Sequence, residues 1–331
     1  MRTSSSRGGV AWRRRVVFVL VFALLIAVPI VAGALGQPFY IRLFTRIMIL
    51  GLAAISLDLL LGYGGMVSLG HAAFVGVGAY SVGILAYHAD NGGRLFGLFG
   101  GSDAAWIVWP VAVAVGGFAA FVVGLVSLRT RGFSFIMITL AFAQMIYYFF
   151  VSWQTYGGDD GLQMMSRNRP IADFTNVQFY WLVLVCLLLA TLLVDRVIGS
   201  RFGMVLRGAR QNDRRMRAIG VPVYRYRLAA FTLAGAIAAF SGVLLANSET
   251  FVSPATMSWL RSAELIVMVV MGGMGTVHGG IIGAAVYSLL ELILGNYTEH
   301  WQIIFGPFFI LVVLFARRGF LSLVLGESRE G

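Results

Sequence analysis

The sequence predicts an all-α protein, a polytopic integral membrane helical bundle of about ten transmembrane segments with glycine-broken helices. Of the 331 residues, 59% are hydrophobic and only 12% are charged, whereas a water-soluble domain carries about 25% charged residues. Apolar runs of about 20 residues, the length that crosses roughly 30 Å of hydrocarbon, recur along the chain. Glycine clusters interrupt two of these runs. Together these observations exclude a water-soluble protein.

Each apolar segment predicts a helix, because a lone spanning segment must satisfy its backbone hydrogen bonds internally. The segments are 16–35, 39–61, 66–88, 106–128, 132–152, 179–198, 228–247, 262–275, 277–294 and 301–316. The first follows Arg13-Arg14-Arg15 and exceeds the roughly 7–15-residue apolar region of a signal peptide, which favours an uncleaved signal anchor. The membrane domain is therefore predicted to cover residues 16–316.

The basic residues predict the topology. All 25 are arginines, and they cluster between apolar runs, where they would meet lipid head groups rather than nucleic acid. Positive charge marks the cytoplasmic side, so the basic tail 1–15, the stretch 199–227 and the tail 317–331 are predicted to be cytoplasmic. Both termini then lie on the same side of the membrane.

Termini on one side require an even number of crossings, which a single helix over 262–294 would not give. Gly272, Gly273 and Gly275 provide the point of division, and residue 297 is then expected outside the cell. A re-entrant pair of half-helices is the structural alternative. Both alternatives break the segment at these glycines.

The first glycine-rich segment, residues 62–80, also contains polar groups at membrane depth. Ser68, His71 and the nearby Asp58 lie in apolar surroundings, where polar side chains usually face protein or water. The glycines can equally serve close helix packing, and Asp58 can equally sit near an interface beside arginines. The candidate residues for a translocation path are Asp58, Gly64, Gly65, Ser68, His71, Gly272, Gly273 and Gly275.

The stretch 199–221 predicts a short amphipathic helix. Its apolar residues recur at helical spacing among arginines, and Gly220 followed by Pro222 is typical of a helix end. The apolar stripe consists of Phe202, Val205, Leu206, Ala209, Met216 and Ile219. From physical chemistry alone, such a helix could lie on the membrane or enter a groove on a partner.

Five stretches, in order, resemble one family. Residues 62–80 resemble the motif GYxGxxSLGHAAFxGxGAY, and 131–142 resemble RGxYFAxxTLAF. Residues 157–162 resemble GGSDGL or GGSNGL, and 268–284 resemble GGxGxxxGPxxGA, while 199–221 resembles the EAA coupling loop. The sequence thus resembles the permeases of bacterial ABC importers for branched-chain amino acids (the LivM type) over about residues 50–290.

The resemblance implies a coupling helix from Gly203 through Gly220 that docks on a cytoplasmic ATPase. The residues that it assigns to this contact are Gly203, Leu206, Arg207, Arg210, Asp213, Ala218 and Gly220. It further implies two ATPase subunits, a second homologous permease and an extracytoplasmic substrate-binding protein, all at the bacterial cytoplasmic membrane. The expected substrates are leucine, isoleucine and valine, while related small polar solutes such as urea, short amides and other amino acids stay open. The binding protein would dock near the outward loop 153–178, at Gly157, Gly158 and Asp160.

Three departures from the family pattern concern function. Asp213 is followed by Arg214 and Arg215, where relatives often carry a second acidic residue and alanine. Gly280 replaces a proline, and Asp58 stands where asparagine is common. The change at Asp58 could alter substrate preference, whereas the loop changes would match a particular ATPase.

Motifs for chemistry are missing from the sequence. A Walker A motif requires a lysine, and the chain has none. Its four histidines are scattered, so we expect no metal site. Because the sequence lacks catalytic and nucleotide-binding motifs, we also expect no cofactor and no enzymatic activity. Energy for transport must come from a partner or an ion gradient. The alternative to the importer is therefore a stand-alone ion-coupled secondary transporter or channel, with Asp58 and Glu264 as coupling carboxylates.

Overall fold

A computed structural model describes residues 5–34, 36–92, 94–95, 99–298 and 300–315. The described part is dominated by twelve α-helices. They are α1 (Ser5–Ala34), α2 (Pro38–Asp58), α3 (His71–Asp90), α4 (Ala105–Ser127), α5 (Phe133–Ser152), α6 (Asn176–Gly199), α7 (Arg201–Gln211), α8 (Asp213–Ala218), α9 (Val223–Glu249), α10 (Trp259–Gly272), α11 (Gly279–Gly295) and α12 (Trp301–Phe315). The all-α fold class is confirmed.

Six helices of the described chain are long and apolar enough to cross a membrane. They are α2 with its π-helical extension to Tyr63, α3, α4, α5, α6 and α9. Shorter apolar stretches cover Phe18–Gly33 and Gly279–Gly295. The chain is thus a multi-pass membrane protein, while the total of about ten spans stays a prediction.

The helix boundaries differ from the sequence prediction at the N-terminus. Helix α1 begins at Ser5 rather than near residue 16, so it runs through most of the predicted tail 1–15. The predicted tail 317–331 lies outside the described residues. The predicted last segment corresponds to α12.

Helices α3 and α9 cross with their backbones in close contact at the centre of the bundle. A Cβ atom on Gly78 would meet the Ala239 carbonyl group, and one on Gly242 would meet the Val75 carbonyl group. Small residues permit such approach between membrane helices. Helix α2 packs beside this pair and is buried from Ile47 to Asp58 except for Leu50.

The predicted break in the stretch 262–294 is confirmed. Helix α10 ends at Gly272, and α11 begins at Gly279. Gly273 has a φ of 116°, a backbone conformation that residues with a Cβ atom rarely adopt. The chain therefore turns back on itself between the two helices, which pack against each other.

Two small antiparallel sheets accompany the helices. Strand β1 (Arg94–Leu95) pairs with β2 (Phe99–Gly100), and β3 (Leu162–Gln163) pairs with β4 (Phe251–Val252). In the second sheet Leu162 lies opposite Val252. Short 3₁₀ helices at 154–156, 158–160, 171–173 and 254–257 complete the described loops. The second sheet holds the long loop before α6 against the end of α9.

Candidate functional site

The bundle has two chemically different ends. The loop 153–178 connects α5 to α6 at one end of the bundle, and we call this end the capped end. At the other ends of these two helices lie residues 129–132 and 199–227, which we call the arginine-rich end. There Arg131 pairs with Asp213 at 2.5 Å, so the α4–α5 turn and the 199–227 loop are joined. A helix of 24 residues, such as α6, is about 36 Å long, which separates the two ends.

The 199–227 loop contains two helices rather than the single predicted helix from Gly203 through Gly220. Helix α7 ends at Gln211, Asn212 adopts an extended conformation, and α8 follows. The Asn212 side chain accepts the backbone N–H of Arg215 at 2.9 Å and thereby caps α8. The apolar periodicity continues across Asn212, so periodicity alone predicts one helix where the structure has two.

The predicted coupling residues divide into a buried and an exposed group. Gly203 and Leu206 are buried against the bundle. Arg207 is exposed, but its guanidinium donates to the carbonyl oxygens of Gly203 and Ile198, both at 3.3 Å. A Cβ atom on Gly203 would collide with the Ile198 carbonyl group. These residues hold α7 in place.

The exposed group forms the outer surface of the loop. Ala218 and Gly220 are exposed, and Gly220 has a φ of 84°. The side chains of Met204 and Ile219 are 57% and 67% exposed. Asp213 bridges Arg131 and Arg217, the latter at 3.4 Å. Two exposed apolar side chains among arginines provide a surface that a partner or a lipid head-group layer could cover.

The two glycine-broken segments meet directly behind α7. The Arg210 guanidinium donates to the carbonyl oxygen of Gly62, which lies in the π-helical turn Leu59–Tyr63. The Asp58 carboxylate accepts the backbone N–H of Gly275 at 2.8 Å. A Cβ atom on Gly62 would occupy the position of the Gly275 backbone. We call Asp58, Gly62, Arg210 and Gly275 the glycine junction.

The remaining candidate path residues are mostly buried. Ser68 and His71 are fully buried, and a His71 ring nitrogen lies 2.8 Å from the Ser56 hydroxyl. Gly64, Gly272 and Gly273 are also buried, whereas Gly65 is exposed and lines a cavity of about 260 Å³ beside the 199–227 loop. The structure thus brings Asp58 and Gly275 together but places Ser68 and His71 among packed helices. A path-lining role for these residues stays a prediction.

The loop 153–178 forms an ordered cap. Tyr156 is buried, and its hydroxyl lies 2.9 Å from a His88 ring nitrogen. Burial raises the pKa of the Tyr156 hydroxyl above its ordinary value. The predicted docking residues lie around a 3₁₀ turn, with Gly157 and Gly158 in left-handed conformations and Asp160 exposed.

Arg167 fixes the cap to the bundle, a role that the sequence did not reveal. Its guanidinium donates to the carbonyl oxygens of Asn247 and Phe174, both at 3.0 Å, and to the Asn176 side chain at 2.8 Å. It also lies 4.5 Å from the centre of the Phe179 ring. A loop arginine carries no sequence signal for such contacts, because Asn176, Phe179 and Asn247 lie on α6 and α9.

Two adjoining cavities open at the capped end. The larger, of about 620 Å³, is lined by the charged residues Arg42, Arg46, Arg167, Glu249 and Glu291. The smaller, of about 120 Å³, shares Arg46 and Glu249 with it. Burial and the neighbouring positive charge of Arg42 lower the pKa of Arg167. Arg42, Arg46 and Glu249 were not among the predicted site residues, because a lone charge near a helix end is typical of a membrane interface.

Within the described ranges, no three His, Cys, Asp or Glu side chains are grouped as metal ligands would be. Glu264, a candidate coupling carboxylate, pairs with Arg261 at 2.7 Å. The chemistry at the described cavities is thus that of charged hydrogen-bonding groups beside apolar walls.

The chain is similar to known permeases over most of its length. Residues 39–316 match the family model for the permease component of branched-chain amino acid transport systems. The high-affinity branched-chain amino acid transport system permease protein LivM of Salmonella typhimurium is 25% identical over 305 residues, which cover 84% of this chain and 69% of that protein. LivM of Escherichia coli is 23% identical over 330 residues, which cover 90% of this chain and 75% of that protein.

A relative with a different name is also similar. The autoinducer 2 import system permease protein LsrC of Salmonella typhi is 27% identical over 232 residues, which cover 67% of this chain and 58% of that protein. No solved structure matches the chain. The family match covers far more than half of the chain, and the helical architecture agrees with it. The chain therefore belongs to the family of branched-chain amino acid ABC transporter permeases.

Proposed function

We propose that this chain is the translocating permease subunit of an ABC importer for branched-chain amino acids in the bacterial cytoplasmic membrane. Two cytoplasmic ATPases drive transport, a second homologous permease completes the pore, and an extracytoplasmic binding protein delivers the solute at the capped end. Family membership and the LivM relatives support this assignment.

The observation that carries the proposal is the contact chain from the exposed loop surface into the bundle. Met204 and Ile219 are exposed on α7 and just beyond α8. From α7, Arg210 donates to the carbonyl oxygen of Gly62. Asp58, one turn before Gly62 in the chain, accepts the backbone N–H of Gly275. Movement of the loop by an ATPase would therefore reach α2, α10 and α11 through the glycine junction.

The turn between α10 and α11 connects the glycine junction to the cavities at the capped end. Gly275 lies in the turn between α10 and α11, and α10 carries Arg261 and Glu264 at the cavity of about 120 Å³. A shift of the turn would tilt both helices as rigid bodies and change the cavity at the capped end. Such rigid-body shifts are a common form of conformational switching.

Co-purification tests the proposed assembly. The tagged full-length chain is extracted from its native membrane in mild detergent, and its partners are identified by mass spectrometry. Recovery of an ABC ATPase and a second permease is expected. Recovery of the chain without an ATPase, under conditions that preserve a known ABC complex in the same membrane, would contradict the importer.

One observation favours the second candidate, an ion-coupled transporter. Asp58 is 1% exposed, and one of its carboxylate oxygens has no hydrogen-bond partner within the described structure. A buried carboxylate can carry a proton or bind a cation. This candidate requires the charge of Asp58, whereas the importer requires only its hydrogen bond to Gly275.

A further inference from the structure

The cavity of about 120 Å³ between α2, α9 and α10 combines charges of both signs with an aliphatic wall. Its charged residues are Arg46, Glu249, Arg261 and Glu264. Its aliphatic wall consists of Ile49, Leu50, Val75, Leu245, Leu265 and Met268. A ligand that fits must therefore carry both charge and an apolar body.

The four charged residues are not equivalent. Arg261 and Glu264 form an ion pair at 2.7 Å, and Glu264 also shares a hydrogen bond with Tyr287. Arg46 and Glu249, in contrast, form no side-chain hydrogen bond or ion pair with any residue that the structure describes. They extend from α2 and the end of α9, and both line the larger cavity as well. One cation and one anion are thus left for a ligand.

We propose that this pocket binds a zwitterionic aliphatic amino acid, with its carboxylate on Arg46, its ammonium group on Glu249 and its side chain against the aliphatic wall. The site deepens the proposed function, on which it rests, by placing the transported solute inside the permease. The larger cavity provides its entrance from the capped end, because Arg46 and Glu249 belong to both cavities.

Charge complementarity favours a zwitterion over the simpler ligands. A carboxylic acid without an amino group would leave Glu249 unpaired, and an amine without a carboxylate would leave Arg46 unpaired. Arg46 is half-buried, so leaving its guanidinium without a partner costs free energy. Glu249 is exposed, so its pairing with an ammonium group contributes less. A zwitterion satisfies both residues, and arginine suits a carboxylate because its guanidinium donates two parallel hydrogen bonds.

Equilibrium binding of radiolabelled L-leucine tests the site. The full-length chain is purified in detergent with its co-purifying subunits and washed free of any binding protein, whose own site would obscure the signal. Competition with leucinamide, which lacks the carboxylate, and with 4-methylpentanoate, which lacks the ammonium group, measures the two preferences. The variants are Arg46→Gln and Glu249→Gln, with Asp195→Asn and Arg196→Gln on the exposed surface of α6 as matched controls.

The wild type is expected to prefer L-leucine over both analogues. In Arg46→Gln, the preference for L-leucine over leucinamide should fall by about tenfold or more, since a charged hydrogen bond contributes at least this factor. The preference for L-leucine over 4-methylpentanoate should be kept. Glu249→Gln should show the opposite pattern with a smaller loss, because Glu249 is exposed. The controls should match the wild type. Partial misfolding would lower the amount of bound leucine but would leave both preferences unchanged.

Failure of this site and failure of the importer give different results. If an ATPase co-purifies but both preferences persist in both variants, or the wild type binds no leucine, the site is wrong and the importer stands. If the variants behave as expected but no ATPase is recovered, the site stands and the importer is wrong. If leucine binds no better than polar amino acids, the role of the aliphatic wall is overturned.

Discussion

The Asp58 carboxylate accepts the backbone N–H of Gly275 at 2.8 Å, although the two residues lie 217 positions apart in the chain. Each belongs to one of the two glycine-interrupted segments of the sequence. The contact lies directly behind α7, because Arg210 donates to Gly62 one turn after Asp58. The glycine junction therefore connects the arginine-rich loop with the broken helix pair α10 and α11.

Replacing Asp58 separates a structural role from a charge-carrying role. Asp58→Asn keeps an oxygen that can accept the Gly275 N–H, so leucine uptake should stay within about threefold of wild type, less than 1 kcal/mol. Asp58→Ala removes the acceptor and leaves the partly buried Gly275 N–H unpaired, so uptake should fall by more than in Asp58→Asn. Leucine uptake by membrane vesicles is measured for the two variants. Abolished uptake in Asp58→Asn, with normal membrane levels, would favour the ion-coupled transporter.

Arg210 is expected to transmit the movement of α7. Arg210→Ala removes the donor to Gly62, so ATP hydrolysis by the complex should continue while uptake falls by about tenfold, the factor for one charged hydrogen bond. Arg129→Ala is the control, since Arg129 is exposed at the same end and its side chain forms no hydrogen bond or ion pair with a described residue. The ratio of transported leucine to hydrolysed ATP measures coupling. An equal ratio in both variants would argue against the glycine junction as the connection.

Two glycines in the 199–227 loop should tolerate no larger side chain. A Cβ atom on Gly203 would strike the Ile198 carbonyl group, and Gly220 has a φ of 84°, which costs a residue with a Cβ atom about 1–2 kcal/mol. Gly203→Val and Gly220→Val should uncouple transport while membrane insertion stays intact. Gly199→Val is the control, because a Cβ atom on Gly199 would meet no other atom within 4 Å. Unchanged uptake in the first two variants would count against a coupling role.

Neighbouring arginines of the cap should differ sharply. Arg167→Ala loses three hydrogen bonds and the contact with Phe179, so the loop 153–178 should become sensitive to limited proteolysis. Arg169→Ala should have little effect, because the Arg169 side chain is 84% exposed and lies 3.8 Å from Asp103, and exposed ion pairs contribute at most about 1 kcal/mol. Equal cleavage rates for the two variants would contradict the proposed anchoring by Arg167.

Local sequence signals predicted the helices and the break at Gly272–Gly275, because apolar runs and glycine clusters act over a few residues. They did not predict the division of the 199–227 loop at Asn212. The apolar spacing continues through this residue, so periodicity alone predicts a single helix. The Asn212 side chain starts the second helix by accepting the backbone N–H of Arg215, and apolar periodicity contains no information about such a cap.

The cavities at the capped end could not be predicted from one sequence. Arg46 and Glu249 lie far apart in the chain, and only the packing of α2 against α9 brings them to the same pocket. The sequence also did not show which group His71 contacts. Its polarity at membrane depth suggested a pathway, but Ser56 on the adjacent helix provides a hydrogen-bond partner within the protein.

Photo-crosslinking from the exposed loop surface tests most directly whether the 199–227 loop docks on an ATPase. A benzoylphenylalanine replaces Ile219, which is 67% exposed at the arginine-rich end, and in a second variant replaces Tyr297, which is 85% exposed and follows α11 at the capped end. Both full-length chains are irradiated in their native membrane. We expect an adduct with an ABC ATPase from position 219 and none from position 297. An ATPase adduct from position 297, or none from position 219 in a membrane where the ATPase is present, would contradict the proposed coupling.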